Sequence, residues 1–197
     1  MRLNLGSGQR KLAGYVNVDR SPACAPDRIV DLEDLPWPFA DSSCDEIMMS
    51  HVLEHLGETT SAYLGILREL YRVCRDGAEV HIVVPHPRHD TFLIDPTHVR
   101  AIMPDSMNLL SKAYNLACRD KGISDTPLGL YLDIDFETVT VDQLLDPMWE
   151  KELATGKMTE TEVLGIARLY GNVIKEITIV MKAIKPGAAP AAVARAQ

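Results

Sequence analysis

Arg2-Leu3-Asn4-Leu5-Gly6-Ser7-Gly8 opens the chain, and Tyr15-Val16-Asn17-Val18-Asp19 follows after a short gap. Each stretch reads as a strand, the first running into two closely spaced glycines and the second ending on a carboxylate. Glycines at the carboxyl end of a strand let main chain approach a ligand that a Cβ would exclude. An acid closing the next strand can accept hydrogen bonds from both hydroxyls of a ribose. The pair predicts a nucleotide-like cofactor, although the same residues also suit a tight turn and a surface aspartate.

A dinucleotide site would add a third glycine, and a phosphate loop would end in Gly-Lys-Ser/Thr. Gln9-Arg10-Lys11 stands there instead. A ligand without phosphates therefore fits better than NAD or ATP, and S-adenosylmethionine is such a ligand.

Outward from this start, Arg28 to Asp31 reads as a third strand, and Leu35-Pro36-Trp37-Pro38-Phe39 as a proline-broken loop in which Trp37 packs. Cys44 to Ser50 is a fourth strand with Met48 and Met49 buried. A helix follows from about Thr59 to Cys74, with Asp76-Gly77 as its stop. Glu79 to Val84 is the fifth strand, a long irregular stretch after Pro85 holds a helix over Pro104 to Cys118, and Phe136 to Leu144 is the sixth strand. Thr159 to Tyr170 is a late helix, and Lys175 to Ile184 alternates as a last strand.

This order predicts an α/β fold: a Rossmann-like, mostly parallel seven-stranded sheet with helices on both faces and ligands at the carboxyl ends of its strands. Only Gln9 to Ala13 separates Gly8 from Gly14, too few residues for a stable helix, so the first helix is expected to be reduced to a loop. Residues 1–185 are expected to form one domain, with 86–135 a substrate-binding or lid insertion and 186–197 a flexible Ala/Pro-rich tail.

A formal charge of -8 argues against nucleic acid and anionic membrane as partners and favours a small neutral or cationic one. No apolar run approaches a membrane span and no leader precedes the first strand, so a cytoplasmic location is expected. Cys24, Cys44, Cys74 and Cys118 are scattered and suit reduced thiols without a function. Hydrophobic sheet flanks left uncovered ahead of the first strand predict a homodimer.

The run of Leu3-Asn4-Leu5-Gly6-Ser7-Gly8, Gly14 to Asp19, Asp31-Leu32, Leu35 to Phe39, Ser50-His51-Val52-Leu53-Glu54-His55 and Leu67-Arg68-Glu69-Leu70-Tyr71-Arg72-Val73 resembles the class I SAM-dependent methyltransferases, above all their short type-11-like members. The likeness is good from Arg2 to Pro85, returns at the Asn172 to Lys185 strand, and is only an outline over 86–170. It implies that Gly6 and Gly8 lie against the methionine part and ribose, with Leu5, Ser7 and Arg20 in the same site. It also implies that Asp19 holds the ribose hydroxyls, that Asp31 meets the adenine amino group and that Leu32 offers its main-chain N–H to the ring. Ser50 and His51 would border the methionine amine and the transferable methyl.

Methyl transfer from a sulfonium is an in-line displacement that chiefly needs positioning, with a base only where the nucleophile loses a proton. His51, leaving the fourth strand, suits such a base and equally a structural role. Glu54 and His55 are expected to pack and hydrogen-bond, and His81 to be an ordinary strand residue.

His86-Pro87-Arg88-His89-Asp90 and Asp95-Pro96-Thr97-His98-Val99-Arg100 form the densest polar stretch. One reading makes it the acceptor site, with Arg88 or Arg100 as an anion clamp, Asp95 beside them, and His86, His89 or His98 as base. Another makes the histidines metal ligands, and a third makes the stretch a solvated loop with Asp95 capping a turn. Tyr114 and Tyr131, with Asn115, Asp133 and Asp135, either complete an acceptor pocket or belong to ordinary helix and loop.

The expected function is transfer of a methyl group from S-adenosylmethionine to an O or N atom of a small-molecule or sugar-like acceptor, leaving S-adenosylhomocysteine. The alternative is a scaffold that binds the cofactor without methylating, or a metal-assisted enzyme built on His86, His89 and His98.

Overall fold

A computed structural model describes residues 1–187, so most of the predicted 186–197 tail lies outside the described residues. Seven strands form one sheet in the order β3-β2-β1-β4-β5-β7-β6: β1 Arg2–Leu5, β2 Val16–Asp19, β3 Arg28–Ile29, β4 Cys44–Ser50, β5 Cys74–Pro85, β6 Phe136–Leu145 and β7 Ile174–Ala183. Five run parallel from β3 to β5, and β7 runs antiparallel to both β5 and β6. This is the Rossmann-like, mostly parallel sheet expected from the sequence.

The period of two sets the core. Leu3 pairs with Ile47, Ile47 with Val80 and Val80 with Met181, and all four are fully buried. Each such side chain contributes roughly 1.5–3 kcal/mol on burial. Helix α1, Thr60–Val73, covers this face with Ile66, Leu67 and Leu70, and starts at Thr59, whose side chain accepts the Ala62 N–H. It stops at Val73 rather than at Asp76-Gly77. Cys74 is already extended and paired with Cys44, so pairing with β4 ends the helix before the glycine is reached.

The region between β5 and β6 holds α2 Asp90–Leu93, α3 Pro104–Asn108, α4 Lys112–Asp120 and α5 Leu128–Leu132. The single helix expected over Pro104 to Cys118 is two, because Leu110 gives its carbonyl to Phe136 N–H and Ser111 caps a new start at Tyr114 N–H. Between β6 and β7 lie α6 Pro147–Ala154, which the periodicity did not reveal, and α7 Glu160–Ala167, shorter than the expected late helix.

Between β1 and β2 there is no helix. Two asparagines hold the loop instead. Asn4 Nδ2 donates to Arg10 O and to Asn17 Oδ1, while Asn17 Oδ1 also accepts the Leu12 N–H and Asn17 Nδ2 reaches Asp27. Without a helix over it, the second sheet face stays partly open: Met48, His81 and Val180, paired across three strands, are all half-buried.

Candidate functional site

The carboxyl ends of β1, β2 and β4 meet at two clefts that share Gly6 and His51. The first, of about 350 Å³, is lined by Asp19, Arg20, Asp31, Leu32 and Glu33, with Val30, Val52 and Leu56 as apolar wall. The second, of about 260 Å³, opens over the uncovered sheet face between Ser7, Ser50, Val83 and Glu176.

Asp19 is placed by the end of β2 and by two main-chain donors. Gly8 N–H donates to its Oδ2 and Ser21 N–H to its Oδ1, both at 2.8 Å. A carboxylate has about four acceptor positions, so two remain for a diol. Asp31 accepts the Glu33 N–H at 3.0 Å, which fixes the turn behind it, while the Leu32 carbonyl takes the Trp37 indole N–H. The Leu32 N–H itself has no partner among the described residues and is available to a ligand.

Gly6 has φ +64, and an added Cβ would lie 2.3 Å from a Val52 methyl. It is glycine because the chain packs on Val52 as much as to admit a ligand. Gly8, at φ +50, has open space around it. Ser7 is buried and its Oγ has no partner at the edge of the second cleft.

His51 leaves β4 at φ +55, a strained conformation for a residue with a Cβ. Its Nε2 lies 2.8 Å from Glu176 Oε2, and its Nδ1 lies 3.5 Å from Glu54 Oε1, an ion-pair distance rather than a hydrogen bond. Glu54 and Glu176 together hold its pKa above the ordinary imidazole value against the opposing effect of burial. Glu176 comes from β7, and nothing local in the sequence singles it out.

The polar stretch after β5 divides. His98 and Asp95 face the mouth of the clefts beside His51 and His55. His86, Arg88 and His89 turn towards the β6–β7 connection. The Arg88 guanidinium donates to the carbonyls of Ala167 and Arg168, His86 Nδ1 accepts the Arg88 N–H, and His89 caps α2 and approaches Asp146 Oδ2 at 3.3 Å. Burial, aided by Arg88 and His89, lowers the His86 pKa. Arg100 donates to Gly57 O and stacks over Tyr63, with its charge 4.1 Å from the ring centre.

Tyr114 donates to Asp125, Tyr131 stands exposed on α5, and neither lines the clefts beside Asp19. Thr97, at the lip of the first cleft, was not singled out as a site residue. Among the described residues the one group of three or more ligand-type side chains close enough to share an ion is Glu54, His55 and His98, not His86, His89 and His98.

Residues 5–82 match the family model described as a methyltransferase domain. No curated protein matches the chain in sequence. Among solved structures, the fold is similar to a SAM-dependent methyltransferase from Archaeoglobus fulgidus, with 16% identity over 92% of this chain and 85% of that one and a TM-score of 0.57. It is also similar to geranyl diphosphate methyltransferase in complex with SAM (16% identity, 93% and 77% covered, TM-score 0.50) and to the cyclase SpnF (14%, 93% and 75%, 0.51). The fold is shared with SAM-dependent methyltransferases, whose cofactor is S-adenosylmethionine.

The site's donor set fits that cofactor. Three carboxylates, Asp19, Asp31 and Glu33, line the first cleft against one cation, Arg20. Such a cleft disfavours phosphates and suits a diol and a cationic ligand.

Proposed function

We propose that this protein transfers a methyl group from S-adenosylmethionine to an oxygen or nitrogen atom of a small-molecule or sugar-like acceptor. The observation that carries the reading is the junction at Gly6 and His51 between an acid-lined cleft and a second cleft over the half-buried sheet face. When bound, S-adenosylmethionine supplies a sulfonium methyl for in-line displacement.

Asp19 would hold the ribose hydroxyls, Asp31 and the Leu32 N–H the adenine, and Gly6, Gly8, Ser7 and Ser50 the methionine end, with Leu5 and Arg20 beside them. His51, between Glu54 and Glu176, would orient the acceptor and take its proton. Asp95 and His98, with Thr91, line a hollow that His51 also lines. His86, Arg88 and His89 would act by supporting the cleft wall. The net charge of -8 supports a small acceptor over a polyanion. The half-open sheet face supports a homodimer, and the free thiols support a cytoplasmic location. No helix among the described residues is long and apolar enough to cross a membrane.

The test is calorimetric titration with S-adenosylmethionine and S-adenosylhomocysteine, followed by turnover on a panel of small hydroxyl and amine acceptors. Saturable binding that Asp19→Ala abolishes, with turnover that His51→Ala stops while binding persists, is expected. Absence of binding to either ligand would overturn the reading. A scaffold that binds the cofactor without methylating is the second reading, favoured by the absent helix between β1 and β2 and by the fold shared with a cyclase. Binding without turnover on any acceptor would select it.

A further inference from the structure

Glu54 is fully buried, and neither of its carboxylate oxygens has a hydrogen-bond partner, the one charge near it being the half-exposed His51 ring with Nδ1 3.5 Å from Oε1. A buried carboxylate compensated only by this long contact is costly, and a further cation would offset that cost. One donor atom each of Glu54, His55 and His98 lies within 4.8 Å of the others. We infer that these three side chains bind a divalent transition-metal ion of zinc's borderline class at the mouth of the cofactor cleft.

The chain builds this grouping with its backbone. Glu54 O accepts the N–H groups of both Val99 and Arg100, at 2.9 and 3.1 Å, and so ties the segment carrying His98 against the turn carrying Glu54 and His55. The two imidazoles then meet edge to face with ring centres 4.6 Å apart.

Both rings have their proton fixed away from a metal. His98 Nδ1 faces the Phe92 carbonyl at 2.8 Å, and a carbonyl only accepts, so Nδ1 carries the hydrogen and Nε2 the lone pair. Thr97 donates its hydroxyl proton to Asp95 Oδ1 at 2.6 Å, so its oxygen accepts from His55 Nδ1 at 3.0 Å. His55 Nε2 is likewise left with a free lone pair. An outer shell of carbonyl and hydroxyl partners that orients imidazoles in this way is a regular property of metal-ligating histidines.

Two imidazoles and one carboxylate suit a borderline divalent ion and leave coordination positions open. The surrounding hollow, lined by His51, Thr91 and Asp95, opens those positions to solvent. His51 and His55 line both this hollow and the first cleft, so a ligand atom on the ion would sit next to the cofactor site.

The test reads metal directly and needs neither cofactor nor turnover, so it fails or succeeds independently of the methyl-transfer reading. The full chain is stripped with a chelator, dialysed and titrated with Co2+, followed by its visible d–d absorption, with Zn2+ as competitor. One ion per chain is expected. His98→Ala and Glu54→Gln should weaken it more than tenfold, Thr97→Val about tenfold through the His55 tautomer, and His81→Ala should bind as the parent does. Zn2+ should raise the melting temperature of the parent but not of Glu54→Gln. If Glu54→Gln or His98→Ala fails to fold by circular dichroism, the exposed Thr97→Val carries the comparison. No saturable Co2+ uptake by the parent, or affinity unchanged in folded His98→Ala and Thr97→Val, would overturn the proposal.

Discussion

Asp19 Oδ2 accepts the Gly8 main-chain N–H at 2.8 Å, so the carboxylate that closes β2 also fixes the loop that leaves β1. The ribose-binding candidate and the glycine turn are one structural unit. Asp19→Ala should therefore lose cofactor binding and also destabilise the fold by about 1.5–3 kcal/mol, the usual contribution of a hydrogen bond to a charged group. Asp19→Asn keeps one acceptor oxygen and should lie between the two. Urea melts and calorimetry on the three proteins separate these effects, and unchanged affinity in Asp19→Ala would remove it from the site.

Gly6 and Gly8 should respond differently to alanine although they are two residues apart. At Gly6 a Cβ meets Val52 at 2.3 Å, whereas at Gly8 it meets nothing within 4 Å. Gly8→Ala should cost about 1–2 kcal/mol, the left-handed backbone penalty alone. Gly6→Ala should add an overpacking cost of about 1–3 kcal/mol. Combining it with Val52→Ala should recover part of that excess, measured as a coupling energy in a double-mutant cycle. A cycle without coupling would show that the Val52 contact does not set the cost.

The sheet was legible because one face of each central strand is fully buried and its alternation survives in the sequence, as in Leu3 and Leu5, Val80 and Ile82, or Ile177 and Ile179. The glycine turn, Asp19 and the loss of the first helix were legible because spacing alone carries them. Contacts across the chain were not. Arg88 has the chemistry of an anion clamp, but the carbonyls of Ala167 and Arg168, 79 and 80 residues away, take its guanidinium. The stop of α1 at Val73 is decided by Cys44, a strand partner invisible to local pattern. Glu54 looked like a packing residue, and only the pairing of its carbonyl with Val99 and Arg100 sets His98 beside it.

Asn17 shows what replaces the missing helix. Its side chain receives Asn4 and Leu12 and donates to Asp27, and the Asp27 hydrogen bonds to Asn17 main chain and side chain hold that carboxyl below its ordinary value. Asn17→Ala leaves Asn4 and the Leu12 N–H without this acceptor. It should destabilise the protein by about 2–3 kcal/mol, the summed penalty of stranded polar groups. Hydrogen exchange should locate the loss in residues 9–14. Exchange quickening uniformly along the chain, rather than first in that loop, would contradict the clasp.

Glu69 links the Trp37 loop to α1, accepting Trp37 N–H at 2.7 Å and two hydrogen bonds from Arg72 at 2.8 Å. Arg72 first, then the Trp37 N–H, lower the Glu69 pKa below the ordinary 4.5, against the opposing effect of burial. A carboxyl lowered on folding binds fewer protons in the folded than in the unfolded state. Its contribution is thus complete above about pH 4.5 and is lost as pH falls through the folded value. Glu69→Gln removes the charge and should cost about 1.5–3 kcal/mol at neutral pH. Because other lowered carboxyls remain in the variant, the informative quantity is the stability difference between the two proteins. That difference should be flat from pH 8 to about pH 5 and shrink below it, read from urea denaturation at each pH. A difference that stays constant down to pH 3 would mean that the Arg72 pair carries none of this stability.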